Sequence, residues 1–446
     1  MIRRFLAIVT SGCLALGGAV AVLLDNASST TLAPGAVAPR TRPLTVGVAV
    51  HFGIGGEYGY RPIESAEAIR SLGLHAYRDD LAWSEFMPAG ADTAGAVPAK
   101  VAGFASATAA RPLYILGQVH PKVAGGGLPT DKASVAAFAR YATQAAASTR
   151  DANADFEIWN EWNKSPVAGR PAMTGEGDPD DPRSAANYAA IAQAGVAAVR
   201  HAAPRARVLV GAAGDDRGWA WVSGIVRRHA LDGADGLSVH LYNHCDHPSR
   251  RTGDNVIEHL ENLHAIALHD GWGQVPIWLT EAGWPTPRSN ICGVTLDTQA
   301  DNLAQLLLWS AATPWVGGVW IYQLKDQGLR PNEIEDNFGL FDYRYRPKPA
   351  VCAVREAAAL AGVSLRSGVA RPRPGVTMLT MTTADGQMLV AWSLSPAQLI
   401  STRGTPFAAR PLCGASVRAV AVTLGARPTV INLSQVPGGV EGLRLQ

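Results

Sequence analysis

From residue 44 to about 360 the chain alternates short runs of β-branched and aromatic residues with longer Ala-rich stretches whose apolar positions recur every three or four residues. The short runs read as strands and the long ones as helices, the pattern of repeated βα units. Strand candidates are LTVGVAVHF (44–52), HAYRDDLAW (75–83), PLYILGQVH (112–120), ADFEIWNEW (154–162), ARVLVGAAG (206–214), GLSVHLYNH (236–244), VPIWLTEAG (275–283) and VGGVWIYQL (316–324). Helical stretches such as ASVAAFARYATQAAA and SAANYAAIAQAGVAAVRHA lie between them. Eight such units predict an α/β fold, a closed (β/α)8 barrel over residues 44–362, rather than an open doubly wound sheet. GIGGEYG after the first strand lacks the spacing of a dinucleotide-binding turn. Beyond the last helix the texture changes: residues 375–446 hold short alternating runs (VTMLTMT, QMLVAWSL, VRAVAVTL, TVINLS) broken by Gly, Pro and Asp. They predict a small β-sandwich-like domain, which at this size needs docking or a covalent tie to the barrel.

The N-terminus differs again. Arg3 and Arg4 precede an uncharged, mostly apolar run from Phe5 to Leu24, read as residues 1–24 forming a signal peptide or an uncleaved membrane anchor. Either one places the rest of the chain outside the cytoplasm, secreted, periplasmic or anchored. Residues 25–43, rich in Ala, Ser, Thr and Pro, read as a flexible linker. In such a compartment Cys245, Cys292, Cys352 and Cys413 suggest two disulfides with three possible pairings. Cys245 with Cys292 would join the loops after adjacent strands, and Cys352 with Cys413 would tie the last barrel helix to the small domain.

Composition narrows the partners. The chain of 446 residues has 39 basic and 37 acidic residues, a formal charge of +2, and so lacks the basic excess of a nucleic-acid binder. It holds 12 tryptophans, which makes their location a question.

In barrels of this kind chemistry belongs to the C-terminal ends of the strands. Those ends carry His51, Arg78, His120, Asn160 with Glu161, His240 with Tyr242, Glu281 and Trp320. Two carboxylates on strands four and seven, facing each other across a mouth, supply the proton donor and the anion that glycosidic-bond hydrolysis needs. WNEWN (159–163) and LTEAGWP (279–285) resemble the acid/base and nucleophile motifs of the clan A glycoside hydrolases, retaining barrels with glutamates on strands four and seven. Arg78, His240, Tyr242, Trp320 and DNFGLFDYRYRPKPA (336–350) are similar to clan A features too, the last to family 39 and its relatives.

The resemblance implies that Glu161 is the general acid/base and Glu281 the nucleophile. Arg78 and Tyr242 would hold the Glu281 carboxylate by charge and hydrogen bond, while Trp159 and Trp162 would keep Glu161 dry and protonated. Asn160 would bond the sugar 2-hydroxyl, Trp320 would floor the reacting subsite, and Trp83, Trp162 and Trp284 would line its neighbours. His51 and His120 would bond hydroxyls or fill the barrel top, and alternation points one of Asp79 and Asp80 away from the lumen. The expected partner is a poly- or oligosaccharide, cleaved with retention and in endo fashion because the aromatic positions extend past one subsite. No cofactor or metal is required, and a monomer is expected. Two other readings remain open: a barrel that binds glycan without cleaving it, and a zinc site in HLYNHCDH (240–247), which needs three or four ligands to converge.

Overall fold

The computed structural model describes residues 30–31, 38–40, 42–54, 58–164, 182–214, 216 and 218–446. The apolar run at the N-terminus lies outside the described residues, as does most of the loop after strand four. Among the described residues no helix is long and apolar enough to cross a membrane.

Eight parallel strands close into a barrel: β1 (Thr45–Ala49), β2 (Ala76–Asp80), β3 (Arg111–Leu116), β4 (Asp155–Ile158), β5 (Val208–Gly214), β6 (Gly236–Leu241), β7 (Ile277–Ala282) and β8 (Val316–Ile321), with β8 pairing to β1. Helices α1 (Pro62–Ser71), α2 (Ala99–Ala107), α3 (Lys132–Ser148), α4 (Pro182–Ala202), α5 (Ala220–Val226), α6 (Gly253–His269), α7 (Leu296–Ala312) and α8 (Pro349–Val363) follow the strands in turn. The (β/α)8 barrel predicted from periodicity is therefore the fold. Local chemistry starts the helices. Asp131 accepts from the Ala133 and Ser134 amides at the head of α3, Thr252 and Thr295 cap α6 and α7, and proline opens α1 and α8.

Tryptophan and glycine together plug the barrel floor. Trp278 and Trp320, with Ala76, Leu113 and Leu209, form a buried cluster at the N-terminal ends of the strands. A β-carbon on Gly47 would lie 2.3 Å from the Trp320 ring, and one on Gly236 or Gly317 would lie 2.3 Å from Trp278. Large rings fit because the facing positions have no side chain. This corrects the expectation for Trp320: it fills the floor, at the end of the barrel opposite the mouth, and cannot serve as a sugar platform.

The small domain begins earlier than its alternating runs suggest, because Arg366–Arg373, broken by Gly and Pro, is a strand. We label the small-domain strands β9 (Arg366–Arg373), β10 (Val376–Thr383), β11 (Gly386–Ser393), β12 (Ala397–Ser401), β13 (Phe407–Pro411), β14 (Val417–Ala419), β15 (Ala421–Leu424), β16 (Thr429–Asn432) and β17 (Leu443–Leu445). They form two antiparallel sheets, ordered β14-β13-β16-β11-β10-β9 and β17-β12-β15. Segments read as flexible linker add an edge strand to each: Ala38–Pro39 pairs with β9 and Thr30–Thr31 with β17. The domain docks on α6, α7 and α8. Leu379, Met381, Val390, Trp392 and Leu412 join the barrel's own core, Trp392 donates to Asp254 at 3.0 Å, and Arg427 pairs with Asp301 at 2.5 Å. Both expected disulfides are present, Cys245–Cys292 across the rim and Cys352–Cys413 between barrel and small domain.

Candidate active site

The chain after β4 turns sharply. Trp159 and Glu161 have positive φ, 68° and 47°, a conformation costing on the order of 1–3 kcal/mol for a residue with a β-carbon. The turn sends Trp159 and Trp162 outward, where they pack on each other and on Phe138 and Tyr188, and swings Asn160 and Glu161 over the barrel. It is held by the Glu161 amide on Ala212 O (2.9 Å) and by Asn163, which exchanges side-chain hydrogen bonds with the Gly214 backbone. Gly214 is needed there: a β-carbon would sit 2.7 Å from Glu161 Oε1.

Arg78, on β2 and 2% exposed, organises the floor of the mouth. Its Nε donates to Glu157 (2.7 Å), Nη1 to Glu281 Oε1 (2.5 Å) and Nη2 to Asn160 Oδ1 (2.8 Å). Burial alone would lower its pKa, but the charges of Glu157 and Glu281 outweigh that and raise it. The other oxygen of Glu281 accepts from Tyr242 Oη at 2.6 Å. His240 is fully buried and bridges the two glutamates. Its Nδ1 lies 2.9 Å from Glu161 Oε1 and 3.7 Å from Glu281 Oε2. Nε2 faces Arg78 Nη2 at 3.3 Å, so the contacts place the proton on Nδ1. One oxygen each of Glu161 and Glu281, and a ring nitrogen of His240, all lie within 4.8 Å of one another.

The electrostatics of Glu161 differ from expectation. The tryptophans beside it in sequence face the helical layer, and its carboxylate faces His240 and Lys164 instead. Burial would raise the carboxyl, but the hydrogen bond and charge of His240, aided by Lys164 and Arg78, hold it below the usual range. His240 moves the opposite way: burial would lower it, yet the charges of Glu281 and Glu161 raise it overall.

The cavity above this floor, about 400 Å³, is lined also by His51, Asp80, Gln118, Lys164, His244, Tyr322, Glu335 and Phe338. Of the two aspartates, Asp79 turns away to accept from the Phe52 and Gly53 amides, while Asp80 accepts from Gln118 at 3.1 Å. His51 stands 3.9 Å from Asp80, and its buried ring nitrogens have no hydrogen-bond partner. Tyr322, Tyr242 and Phe338 form an aromatic wall, their rings 5.2–6.0 Å apart.

Of the sequence-predicted residues, the structure brings together Glu161, Glu281, Asn160, Arg78, His240, Tyr242 and His51. The others go elsewhere. Trp83 stacks on Tyr141, Trp284 donates to Asn243 at 2.7 Å, and Trp162 lies in the helical layer, all three buried. His120 is 1% exposed, with Nε2 3.0 Å from Met87 O and Nδ1 accepting from the Lys122 amide. Core packing claims each of them, although the buried indole nitrogens of Trp83 and Trp162 have no hydrogen-bond partner among the described residues. Sequence reading missed Glu157, which also accepts from Thr280 at 2.7 Å; an acid between Phe156 and Ile158 in the middle of a buried strand was its signal. It also passed over Tyr322, the residue directly after β8, and Glu335, which the fold of the last loop brings to the mouth.

The HLYNHCDH residues do not converge on a metal. His244 packs on Tyr242 and Phe338, Cys245 is in a disulfide, and His247 contacts Ser249. Glu161, His240 and Glu281 are near enough to share an ion, but the Arg78 guanidinium already lies on Glu281. A larger hollow of about 1050 Å³ lies between the loops after β6, β7 and β8; Arg251, Thr286, Pro287 and Asn337 line it, and among the described residues no acid or histidine does. The reactive groups are in the smaller cavity.

No family model matches the chain, and no curated protein does. Solved structures do, at low identity. A family 39 glycoside hydrolase from Bacteroides cellulosilyticus WH2 is 20% identical with a TM-score of 0.68, over 88% of this chain and 81% of that one. A GH39 β-xylosidase from Caulobacter crescentus is 15% identical, TM-score 0.56, over 90% and 97%. A GH5_18 protein from Streptomyces cattleya, solved with GlcNAc, is 19% identical, TM-score 0.54, over 73% and 81%. The likeness is one of fold.

Proposed function

We propose that this chain is a retaining β-glycosidase, with Glu281 as nucleophile and Glu161 as general acid/base. The observation that carries the reading is the pair of carboxylates whose oxygens approach within 4.8 Å over one small cavity. Retaining enzymes place their carboxyl groups about 5–5.5 Å apart, whereas inverting ones need roughly 6.5–9.5 Å to admit a water. The surroundings support the division of roles. Arg78 and Tyr242 fix both oxygens of Glu281, which leaves a lone pair directed at the cavity for attack on an anomeric carbon. Glu161, on the other wall, accepts from His240 Nδ1–H; a further proton, carried on the Glu161 carboxyl when substrate is bound, is the one passed to the leaving oxygen, which returns Glu161 to the carboxylate. Once Glu281 is esterified its negative charge is gone, which removes the largest contribution to the raised pKa of His240. Glu161 then acts as base toward water, and the ester is cleaved with net retention. Asn160, oriented by Arg78, presents its amide nitrogen to the sugar 2-hydroxyl.

The substrate in this reading is an extracellular or envelope β-glycan, and the action is endo. With the tryptophans in the core, support for endo action shifts to the rim hollow, whose lining residue Asn337 directly precedes Phe338 of the catalytic cavity in the chain and which has room for further sugar units. The test is release of reducing ends from a panel of plant and bacterial β-glycans, with the anomer of the first product followed by proton NMR. β-Product from wild type, a mixture of oligosaccharides early in the reaction and loss of at least about 10³-fold in Glu281→Gln are expected. An α-product first, or full activity in Glu281→Gln, would refute the assignment. Glycan binding without cleavage by wild type would favour a binding barrel.

A further inference from the structure

The barrel face opposite the mouth is strongly basic. The segments joining helix ends to strand starts, from the last helical turn to the first strand residue and including the entry at Arg40 and Arg42, hold eleven arginines and five aspartates, with no lysine or glutamate. That surplus of six exceeds the +2 of the whole chain, so the rest of the molecule is net negative. The aspartates are largely engaged: Asp155 bridges Arg111 and Arg207, and Asp235 pairs with Arg200. Arg42, Arg70, Arg150, Arg205, Arg227 and Arg366 are exposed and have no acidic partner among the described residues. They come from six separate connections, and barrel closure alone gathers them on one face.

Helix C-termini favour cations, which accounts for Arg70, Arg150 and Arg227 singly. It does not account for Arg42, in the entry segment, or Arg205, in the connection after α4. A face of net positive charge also repels itself, a cost that a partner of opposite charge removes. The chain reaches the barrel on this face. Ala38–Pro39 pairs with β9, Arg40 caps the carbonyls of Ser310, Thr313 and Val316, and Arg42 leads into β1. Upstream of that entry the chain first lies along β17 of the small domain at Thr30–Thr31, and the apolar run from Phe5 to Leu24 precedes that contact. Exposed Leu268, Val363 and Leu365, at the ends of α6 and α8, lie on the same side.

We propose that this face docks on the anionic surface of a lipid bilayer, with the apolar run as its tether and the mouth turned away toward the glycan. Acidic headgroups attract clustered arginines within about a Debye length, so the contact is close and salt-sensitive. The inference is independent of the catalytic reading. It is tested on the full chain in nanodiscs of phosphatidylcholine, with or without roughly 30% phosphatidylglycerol, by hydrogen exchange in residues 70–75 and 200–207. The tether holds the protein to both discs, so the comparison isolates headgroup charge. Exchange about tenfold slower on the anionic discs, relieved near 1 M salt where the Debye length is about 3 Å, is expected. The effect should vanish when the six exposed arginines become glutamine and weaken in Arg42→Gln with Arg205→Gln, neither of which lies at a helix end. Equal exchange on both discs overturns the proposal, as does failure of the chain to enter either disc. Protection by a soluble anionic wall polymer but not by lipid would assign the face to that polymer instead.

Discussion

Gly214→Ala tests whether the position of Glu161 controls catalysis. The glycine ends β5 and has no positive φ, so alanine meets no backbone penalty and reduces the freedom of the unfolded chain, worth about 0.4–1 kcal/mol of stability. The obstacle is steric. The new β-carbon would lie 2.7 Å from Glu161 Oε1 and 2.8 Å from its Cδ, so reaching ordinary contact near 3.4 Å means moving the carboxylate by about 0.7 Å. Movement away from Gly214 alters the 2.9 Å bond to His240 and changes the reach to a leaving oxygen. A misplacement of about 1 Å can cost about 10²-fold, so a loss of about 10- to 100-fold in kcat/KM is expected, or roughly 1.4–2.7 kcal/mol. The assay compares aryl glycosides with a poor leaving group, which needs the acid, and with dinitrophenolate, which does not. The loss should be concentrated in the former, with Tm within a few degrees of wild type. Equal losses on both substrates, or no loss on either, would refute the reasoning.

Trp320→Ala should lower stability by about 3–5 kcal/mol in denaturant unfolding, with KM unchanged at a permissive temperature, because the ring plugs the floor and touches no substrate; a selective rise in KM would restore it to the mouth. The pH dependence has a definite sign. His240, raised in the folded state, adds stability that is fully present below its ordinary pKa of 6.5 and is lost as pH rises through the folded value. Glu161, lowered, adds stability present above its ordinary 4.5 and lost as pH falls through the folded value. His240→Asn should therefore flatten the decline of Tm on the alkaline side of 6.5 and make Glu161 titrate higher, both readable from Tm against pH. Cys352→Ser with Cys413→Ser opens a link between residues 61 apart, for which loop entropy gives about 4 kcal/mol, and calorimetry should show the small domain melting ahead of the barrel.

The pair at the heart of the site was legible because apolar strands ran straight into Asn160, Glu161 and Glu281, residues that packing gives no reason to place there. The tryptophans were not. Trp83, Trp162, Trp284 and Trp320 read alike as strand-end aromatics, yet a ring at a strand end can face lumen, floor or helical layer. For Trp162 the choice was made by the positive φ at Trp159 and Glu161, and for Trp320 by Gly47 on the neighbouring strand. Glu157 shows the converse: its charge was visible in sequence, but its partner Arg78 lies 79 residues away.

Periodicity, which depends only on neighbours along the chain, determined the eight βα units, the sheet texture of the C-terminal domain and the motifs ending strands four and seven. The cysteine positions, once the strands were ordered, also sufficed for the bridges. Tertiary structure alone decided what depends on closure: which strand ends face one another, that His240 rather than tryptophan sets the charge state of Glu161, and that arginines from six connections share a face. Electrostatic energies follow distances in space, and those distances come into being only when β8 meets β1.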